Sequence, residues 1–179
     1  MKISKQLQLP DSGYNKEPFK KETIVLHHTV GGTAASTLHW WKSDDRKIGT
    51  AFIIDADADG TIYQVFDPTF WASHLGLKGQ PTIFEKMSIG IELASVGPLM
   101  KSDGKFYCFE RLTPQTEYKG PVFDCGAGKR WRGYRFFAQY SNAQMKSVAW
   151  LVEHLASTFN IKRVYPLDRS AFLSSPPTG

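Results

Sequence analysis

Cysteine is scarce in this chain of 179 residues, which contains only Cys108 and Cys125. Two cysteines do not make the disulfide framework that stabilises small secreted domains. No apolar stretch is long enough to cross a bilayer, and the charged residues 1–6 lead into no hydrophobic segment of a secretory signal. We therefore expect synthesis in the cytoplasm, reduced thiols and no membrane span.

Runs of basic residues are also short, none longer than a pair such as Lys20-Lys21, although the formal net charge is +5. No nucleic-acid-binding motif accompanies this charge, so we expect no nucleic-acid partner. A mild positive charge favours anionic polymers, and bacterial envelopes are anionic. The hydrophobic content of 41% is typical of a globular protein, and the length suits one domain, 1–179, which we expect to be monomeric.

A run of apolar, mostly β-branched residues at 24–26 predicts a short buried strand over 23–29. His27 and His28 lie in this strand, and Gly31-Gly32 then opens the chain into a loop. Successive side chains on a strand point to opposite faces, so one imidazole faces a site and the other packs behind it. A neutral imidazole at a strand end suits a metal, although half-buried histidines without a ligand are common.

Two helices are predicted from local signals. The first covers 33–43, with Thr33 or Ser36 as its N-cap. The second covers 141–159 and opens on a capping box that Gln144 completes, followed by an apolar stripe at helical spacing. The first 22 residues are polar and lack a clear period, which indicates a leading arm over the surface.

Strand patterns surround these helices. Segments 50–56 and 61–66 form a hairpin around an Asp-Gly turn, and 88–94 alternates apolar side chains with Glu92 on the other face. A carboxylate in that position meets solvent or lines a cleft. The segment 97–140, rich in glycine and aromatic residues, indicates a β-rich insertion. Within it, 131–137 is either an exposed ligand platform or an amphipathic strand packed on the core, since alternation alone does not decide.

These blocks occur in the order found in a known family. The strand with His27, the hairpin 52–64, the segment with Trp71 and His74, and the strand Ser-Ile-Gly-Ile-Glu-Leu at 88–93 resemble the zinc-dependent N-acetylmuramoyl-L-alanine amidases. That family includes bacteriophage endolysins, bacterial autolysins and peptidoglycan recognition proteins. The resemblance implies an α/β fold with a central mixed β-sheet flanked by helices, here with a β-rich insertion.

The resemblance also implies a reaction and a set of residues. The substrate is peptidoglycan or a muropeptide, and zinc-assisted hydrolysis cleaves the amide bond between N-acetylmuramic acid and L-alanine. His27 takes the place of the first zinc ligand, and Glu92 takes that of the catalytic acid–base residue. Trp71, His74 and Thr50 are candidate substrate contacts. Many relatives have Tyr or His near the metal at one of the two positions that Thr50 and Ala51 occupy here. Such a protein acts on the cell wall after release.

One part of the family pattern is missing. Family members carry the second zinc ligand, a His, and the third, a Cys, Asp or His, after the long helix. No His or Cys lies beyond His154 in this sequence. We therefore expect an incomplete C-terminal end, and weak or absent zinc because one imidazole does not hold the ion well. The alternative function is a peptidoglycan-binding module that does not cleave.

Overall fold

The computed structural model describes residues 1–77, 82–108 and 116–164. These residues form ten strands and three helices. The strands are β1 Ile3–Ser4, β2 Thr23–His28, β3 Phe52–Ile54, β4 Ile62–Gln64, β5 Ser88–Leu93, β6 Pro98–Ser102, β7 Lys105–Cys108, β8 Thr116–Tyr118, β9 Val122–Asp124 and β10 Phe136–Ala138. The helices are α1 Ala34–Lys42, α2 Thr82–Met87 and α3 Asn142–Thr158.

The central sheet has five strands in the order β1-β4-β3-β5-β2. Strands β2 and β3 run parallel to β5, whereas β3 and β4 pair antiparallel as the two arms of the predicted hairpin. The sheet is therefore mixed, as expected. Its middle strands are the most buried, with Ile53 and Ile91 fully inaccessible to solvent. This burial gives the short strands the apolar contacts that they need.

Helix α1 begins where the sequence predicts, with Thr33 as the N-cap. The Thr33 hydroxyl accepts a hydrogen bond from the backbone N–H of Ser36, and the Ser36 side chain accepts one from the backbone of Thr33. Leu38 and Trp41 point into the core, whereas Trp40 is half exposed. The helix thus packs one apolar stripe on the central sheet and leaves the other face to solvent.

Helix α3 also begins with the predicted capping box, formed between Ser141 and Gln144. The Gln144 amide donates a 2.9 Å hydrogen bond to the carbonyl of Ala94, just beyond β5. Leu151 and Leu155 are buried in the main core. The cap therefore fixes both the start of the helix and its position against the sheet.

The insertion 97–140 forms a second sheet, with strand order β8-β7-β6-β10-β9 and antiparallel pairing throughout. Its small core contains Leu99, Cys108 and Ala138. Both cysteines are free thiols. The β-rich insertion is confirmed, and the platform segment resolves into a tight turn at 131–134 followed by β10.

Two features of the fold lie outside the sequence predictions. The first 22 residues, expected to be a surface arm, supply β1, which pairs parallel with β4, and the core side chains Leu9 and Tyr14. Helix α2 has no recognisable signal in its six residues.

No helix in the described ranges has the length and apolarity of a membrane span. The expectation of an incomplete C-terminal end falls on 165–179, outside the described residues.

Candidate active site

His27 and Glu92 lie on the same face of the central sheet. Strands β2 and β5 are parallel neighbours, and their register pairs His27 with Glu92. Paired residues on adjacent strands project to the same side, and the next residue projects to the other. His28, paired with Leu93, therefore lies on the opposite face. The two residues singled out from the sequence share one surface.

Gly90 makes room for two more side chains on this face. A Cβ at Gly90 would lie 2.6 Å from Thr50 Cγ2 and 3.1 Å from His74 Nδ1. Only a residue without a side chain allows both groups to approach the strand so closely. Gly90 thus brings Thr50 and His74, both distant in sequence from β5, next to Glu92.

A hydrogen-bonded chain links His27, His74 and Ser88. His27 Nε2 lies 2.9 Å from His74 Nδ1, and His74 Nε2 lies 2.8 Å from Ser88 Oγ. The Ser88 hydroxyl donates its hydrogen to the carbonyl of Phe84 at 2.7 Å, so it accepts from His74 Nε2–H. A neutral His74 then accepts at Nδ1 from His27 Nε2–H. The network of acceptors thereby assigns both tautomers.

Burial keeps both imidazoles neutral. It lowers the pKa of His27 to about 4, with a smaller contribution from the charge of His28. It lowers the pKa of His74 to about 3, with smaller contributions from His27 and Lys21. Neutral rings at pH 7 are what the assigned hydrogen bonds require, because a protonated His74 has no acceptor for His27.

Glu85, a residue that no sequence motif marks, holds the loop that carries His74. Its carboxylate is buried and accepts hydrogen bonds from the backbone N–H groups of His74 at 2.9 Å and Leu75 at 3.1 Å. Glu85 Oε2 also lies 3.7 Å from His74 Nε2. A carboxylate three residues before β5 was the only sequence signal, and it does not specify a loop as its partner.

Lys21 fixes the same region from the other side. Its ammonium group is buried and donates to the carbonyls of Phe70 at 2.8 Å, Lys86 at 2.6 Å and Ser88 at 3.4 Å. Burial lowers the pKa of Lys21 to about 8, which still leaves it mostly protonated at pH 7. The charged group joins the end of α2, the start of β5 and the His74 loop.

Glu92 is the carboxylate without a partner in this site. The residue is half-buried, and its Oε2 is shielded from solvent with no hydrogen bond partner among the described residues. Burial raises the pKa of Glu92 to about 7. Glu92 lines a cavity of about 410 Å³ together with Thr50, His74, and Thr37 and Trp41 of α1. A carboxyl group that titrates near neutrality beside a cavity suits proton transfer.

Two of the candidate substrate contacts are placed less directly. Thr50 lines the Glu92 cavity, but it is buried and its hydroxyl donates to the carbonyl of Phe52 at 2.8 Å. Trp71 is not among the residues that line this cavity. Its indole N–H donates to Glu17 at 3.1 Å, and the Lys86 ammonium lies 5.2 Å from the ring centroid. Their assignment to substrate binding stays a prediction.

The described residues do not form a complete zinc site. They contain no cluster of three or more His, Cys, Asp or Glu side chains suited to a metal ion. Catalytic zinc takes three protein ligands and keeps one open position. In the assigned tautomer the hydrogen of His27 is on Nε2, so Nδ1 keeps the lone pair that a metal would need, but a single imidazole does not hold zinc well. We accordingly assign no step of the chemistry to a metal.

Solved structures share the fold. PlyL matches at a TM-score of 0.53 and 16% identity, over 90% of this chain and 77% of its own. A mutant endolysin from Bacillus subtilis matches at a TM-score of 0.53 and 17% identity, over 90% of this chain and 79% of its own. The amidase AmiD from E. coli matches at a TM-score of 0.50 and 21% identity, over 82% of this chain and 47% of its own. That structure contains the substrate anhydro-N-acetylmuramic acid-L-Ala-D-gamma-Glu-L-Lys.

The sequence identities to these structures are low, so the structural matches establish the fold alone. The family is established by a match to a family sequence model. None of the curated proteins matches the sequence. The family model described as N-acetylmuramoyl-L-alanine amidase matches residues 17–167, which include every strand except β1 and both His27 and Glu92. Enzymes of this class act on peptidoglycan, and zinc dependence is typical of the family. The chain belongs to the N-acetylmuramoyl-L-alanine amidase family.

Proposed function

We propose that Glu92 is the acid–base residue with which this peptidoglycan amidase hydrolyses the bond between N-acetylmuramic acid and L-alanine. The observation that supports this role is its unpartnered, shielded Oε2 beside a cavity, on the face that also carries His27. A structural carboxylate in the same position would have a hydrogen bond or ion-pair partner, as Glu85 does.

The proton moves in two steps. The ionised Glu92 takes a proton from a water molecule as the water oxygen attacks the lactyl carbonyl carbon. The protonated carboxyl then gives this proton to the nitrogen of L-alanine as the C–N bond breaks. The products are a free lactyl carboxyl group and a free amino terminus on the peptide. Its pKa of about 7 lets Glu92 exist in both forms near neutral pH.

His27 and His74 orient the site. The chain from His27 through His74 to Ser88 fixes both rings, and Glu85 and Lys21 fix the loop and strand that carry them. In the family, a bound zinc ion polarises the carbonyl and activates the water. We infer that the chain binds zinc weakly, because the described residues supply His27 but no set of three ligands.

Zinc content tests that inference. The purified chain, dialysed against metal-free buffer, is expected to contain well under one zinc per molecule by elemental mass spectrometry. A full equivalent of zinc in the unmodified chain would contradict the inference.

The products of digestion test the proposed role of Glu92. Purified peptidoglycan is incubated with the protein, with and without added zinc, and new L-alanine amino termini and new reducing ends are measured. We expect new amino termini without new reducing ends. In Glu92→Gln the rate at which amino termini form should fall about 10²–10⁴-fold. The control is Glu153→Gln, at a carboxylate on α3 that is 62% exposed. Equal rates in the two variants would exclude Glu92 as the acid–base residue. Retention of the protein on the cell wall without new amino termini would indicate a binding module.

A further inference from the structure

A second cavity lies on the opposite face of the central sheet. Its volume is about 550 Å³, and the imidazole of His28 lines it from β2. His28 and His27 are adjacent on one strand, so this cavity and the Glu92 cavity face away from each other across the sheet. Strand β9 contributes Phe123 to its lining, the turn between β9 and β10 contributes Trp131, and α3 contributes Asn142 and Met145. Nothing in the amide-cleaving chemistry uses this cavity.

A tight turn presents the main aromatic side chain of this cavity. Trp131 and Tyr134 exchange backbone hydrogen bonds of 2.9 and 3.0 Å, and the two residues between them, Arg132 and Gly133, have φ of 49° and 85°. Two central residues with positive φ define the turn that joins twisted strands with a two-residue loop. Arginine is strained at such an angle, and the Arg132 guanidinium carbon lies 4.8 Å from the Trp131 ring centroid.

Large apolar side chains around the cavity are left in contact with water. Phe123 is 55% exposed, Met145 49% and Trp131 45%. The Trp131 ring lies 5.7 Å from that of Phe137, which is also part of the lining. Clustered exposed aromatic groups on a concave surface are typical of a binding site, because burying them against a ligand releases water from apolar surface.

The chemistry of the lining indicates a sugar. A pyranose has faces of C–H groups that stack on aromatic rings, and edges whose hydroxyl and amide groups need hydrogen bonds. The aromatic side chains supply the first, and the lining also includes Gln139, Tyr140 and Asn142, whose side chains carry amide and phenol groups suited to the second.

We propose that this cavity binds an N-acetylated pyranose unit of a glycan strand, on the face of the central sheet opposite Glu92. The identity of the polymer depends on the proposed function, since peptidoglycan is a polymer of such sugars. The cavity holds the enzyme on glycan independently of the peptide that is cleaved. It is therefore a retention site and not part of the catalytic machinery.

Cys125 is a reporter within the cavity. It lines the site and is half-buried, whereas Cys108, the other cysteine, is 3% exposed and its thiol contacts the carbonyl of Thr116. The rate at which a maleimide labels Cys125 is measured with and without tetra-N-acetylchitotetraose. At ten times the Kd of the sugar, labelling should slow about tenfold, because only the unoccupied fraction reacts.

Three variants separate this proposal from its alternatives. Trp131→Ala should abolish protection of Cys125, and Phe123→Ala serves as a second variant should the first fail to fold by circular dichroism. Phe84→Ala removes a 53% exposed aromatic ring outside the cavity and should leave protection unchanged. In Glu92→Gln the sugar should still protect Cys125 from labelling. The result is therefore independent of the catalytic proposal for Glu92.

Three outcomes would overturn the proposal. The first is unchanged labelling at millimolar tetrasaccharide. The second is protection that survives in both Trp131→Ala and Phe123→Ala, which places the sugar elsewhere. The third is protection by phenol but not by the tetrasaccharide, which makes the cavity a site for apolar molecules.

Discussion

The Glu92 carboxyl group imposes a pH dependence on stability as well as on catalysis. Its pKa of about 7 in the folded protein lies above the ordinary value of 4.5, which applies to the unfolded chain. Between these values the folded state binds more protons than the unfolded state, so the free energy of unfolding falls as pH rises from 4.5 to 7. A shift of this size corresponds to a loss of up to about 3 kcal/mol.

Urea unfolding of the unmodified protein and of Glu92→Gln, at pH 5 and pH 8, measures this effect. The variant should be about 1–3 kcal/mol more stable at pH 8 and show little gain at pH 5, because glutamine does not ionise. Glu153→Gln, at an exposed ion pair with Arg163, is the control and should show no such difference between the two pH values. An identical pH dependence in the unmodified protein and in Glu92→Gln would argue against a buried, unpartnered carboxyl group.

The tautomers of the two buried histidines are also testable. We expect His27 and His74 to carry their hydrogens on Nε2 at pH 7, since Ser88 Oγ uses its only hydrogen on the Phe84 carbonyl. Nitrogen-15 chemical shifts of the imidazole rings report this directly. In Ser88→Ala, His74 loses the acceptor that fixes its tautomer, so the His27 and His74 signals should change while that of the exposed His154 stays constant. A hydrogen on His27 Nδ1 in the unmodified protein would contradict the assigned chain.

The family resemblance predicted that His27 and Glu92 belong to one site, whereas alternation along the two strands left open whether Glu92 meets solvent or lines a cleft. Neither was enough to predict their partners. His74 reaches His27 across 47 residues of sequence, and Glu85 holds His74 only because a loop folds back over β5. Such contacts depend on where a loop is placed, and a local sequence pattern carries no information about that placement.

At the level of helices and strands, Gly60 joins the hairpin to α3. It has φ of +61°, and an added Cβ would lie 2.6 Å from the carbonyl carbon of Ala143. Ser147 of α3 donates a 2.6 Å hydrogen bond to the Gly60 carbonyl. The Asp-Gly turn was predicted from its backbone requirement, but the close approach of a helix was not.

Gly60→Ala should therefore destabilise the protein in two ways. Backbone strain costs about 1–2 kcal/mol, and displacement of the start of α3 costs about 1–3 kcal/mol more. Gly128→Ala is the matched control, because Gly128 has φ of +72° and nothing within 4 Å of its added Cβ. Thermal unfolding of both variants measures the difference. Equal losses of stability would show that α3 does not depend on the close contact at Gly60.

Elements with local signals were predictable, and elements defined by distant pairing were not. The predicted capping box at Ser141 specifies where α3 begins, and Thr33, one of the two predicted N-cap candidates, caps α1. Strand β1 has two residues and exists only because β4 offers a parallel edge. Helix α2 has six residues, fewer than two turns, and is too short for a periodic pattern.

In the whole molecule, one sheet separates two cavities of different chemistry. The face with α1 carries Glu92, His27 and His74 in a polar site, and the face with α3 and the second sheet carries an aromatic cavity around Trp131. The mixed α/β architecture and the β-rich insertion were predictable from pattern and resemblance. The position of the insertion against α3 was not, because it depends on packing between segments that lack a mutual sequence signal.

The pH dependence of amide hydrolysis tests the central claim most directly. The rate at saturating peptidoglycan, measured as new L-alanine amino termini between pH 5 and pH 8.5, should rise about tenfold per pH unit and level off above about 7, as Glu92 loses its proton. Glu153→Gln should reproduce this profile. A rate that is flat from pH 5 to pH 8.5, or a profile unchanged in Glu92→Gln, would show that another group moves the proton.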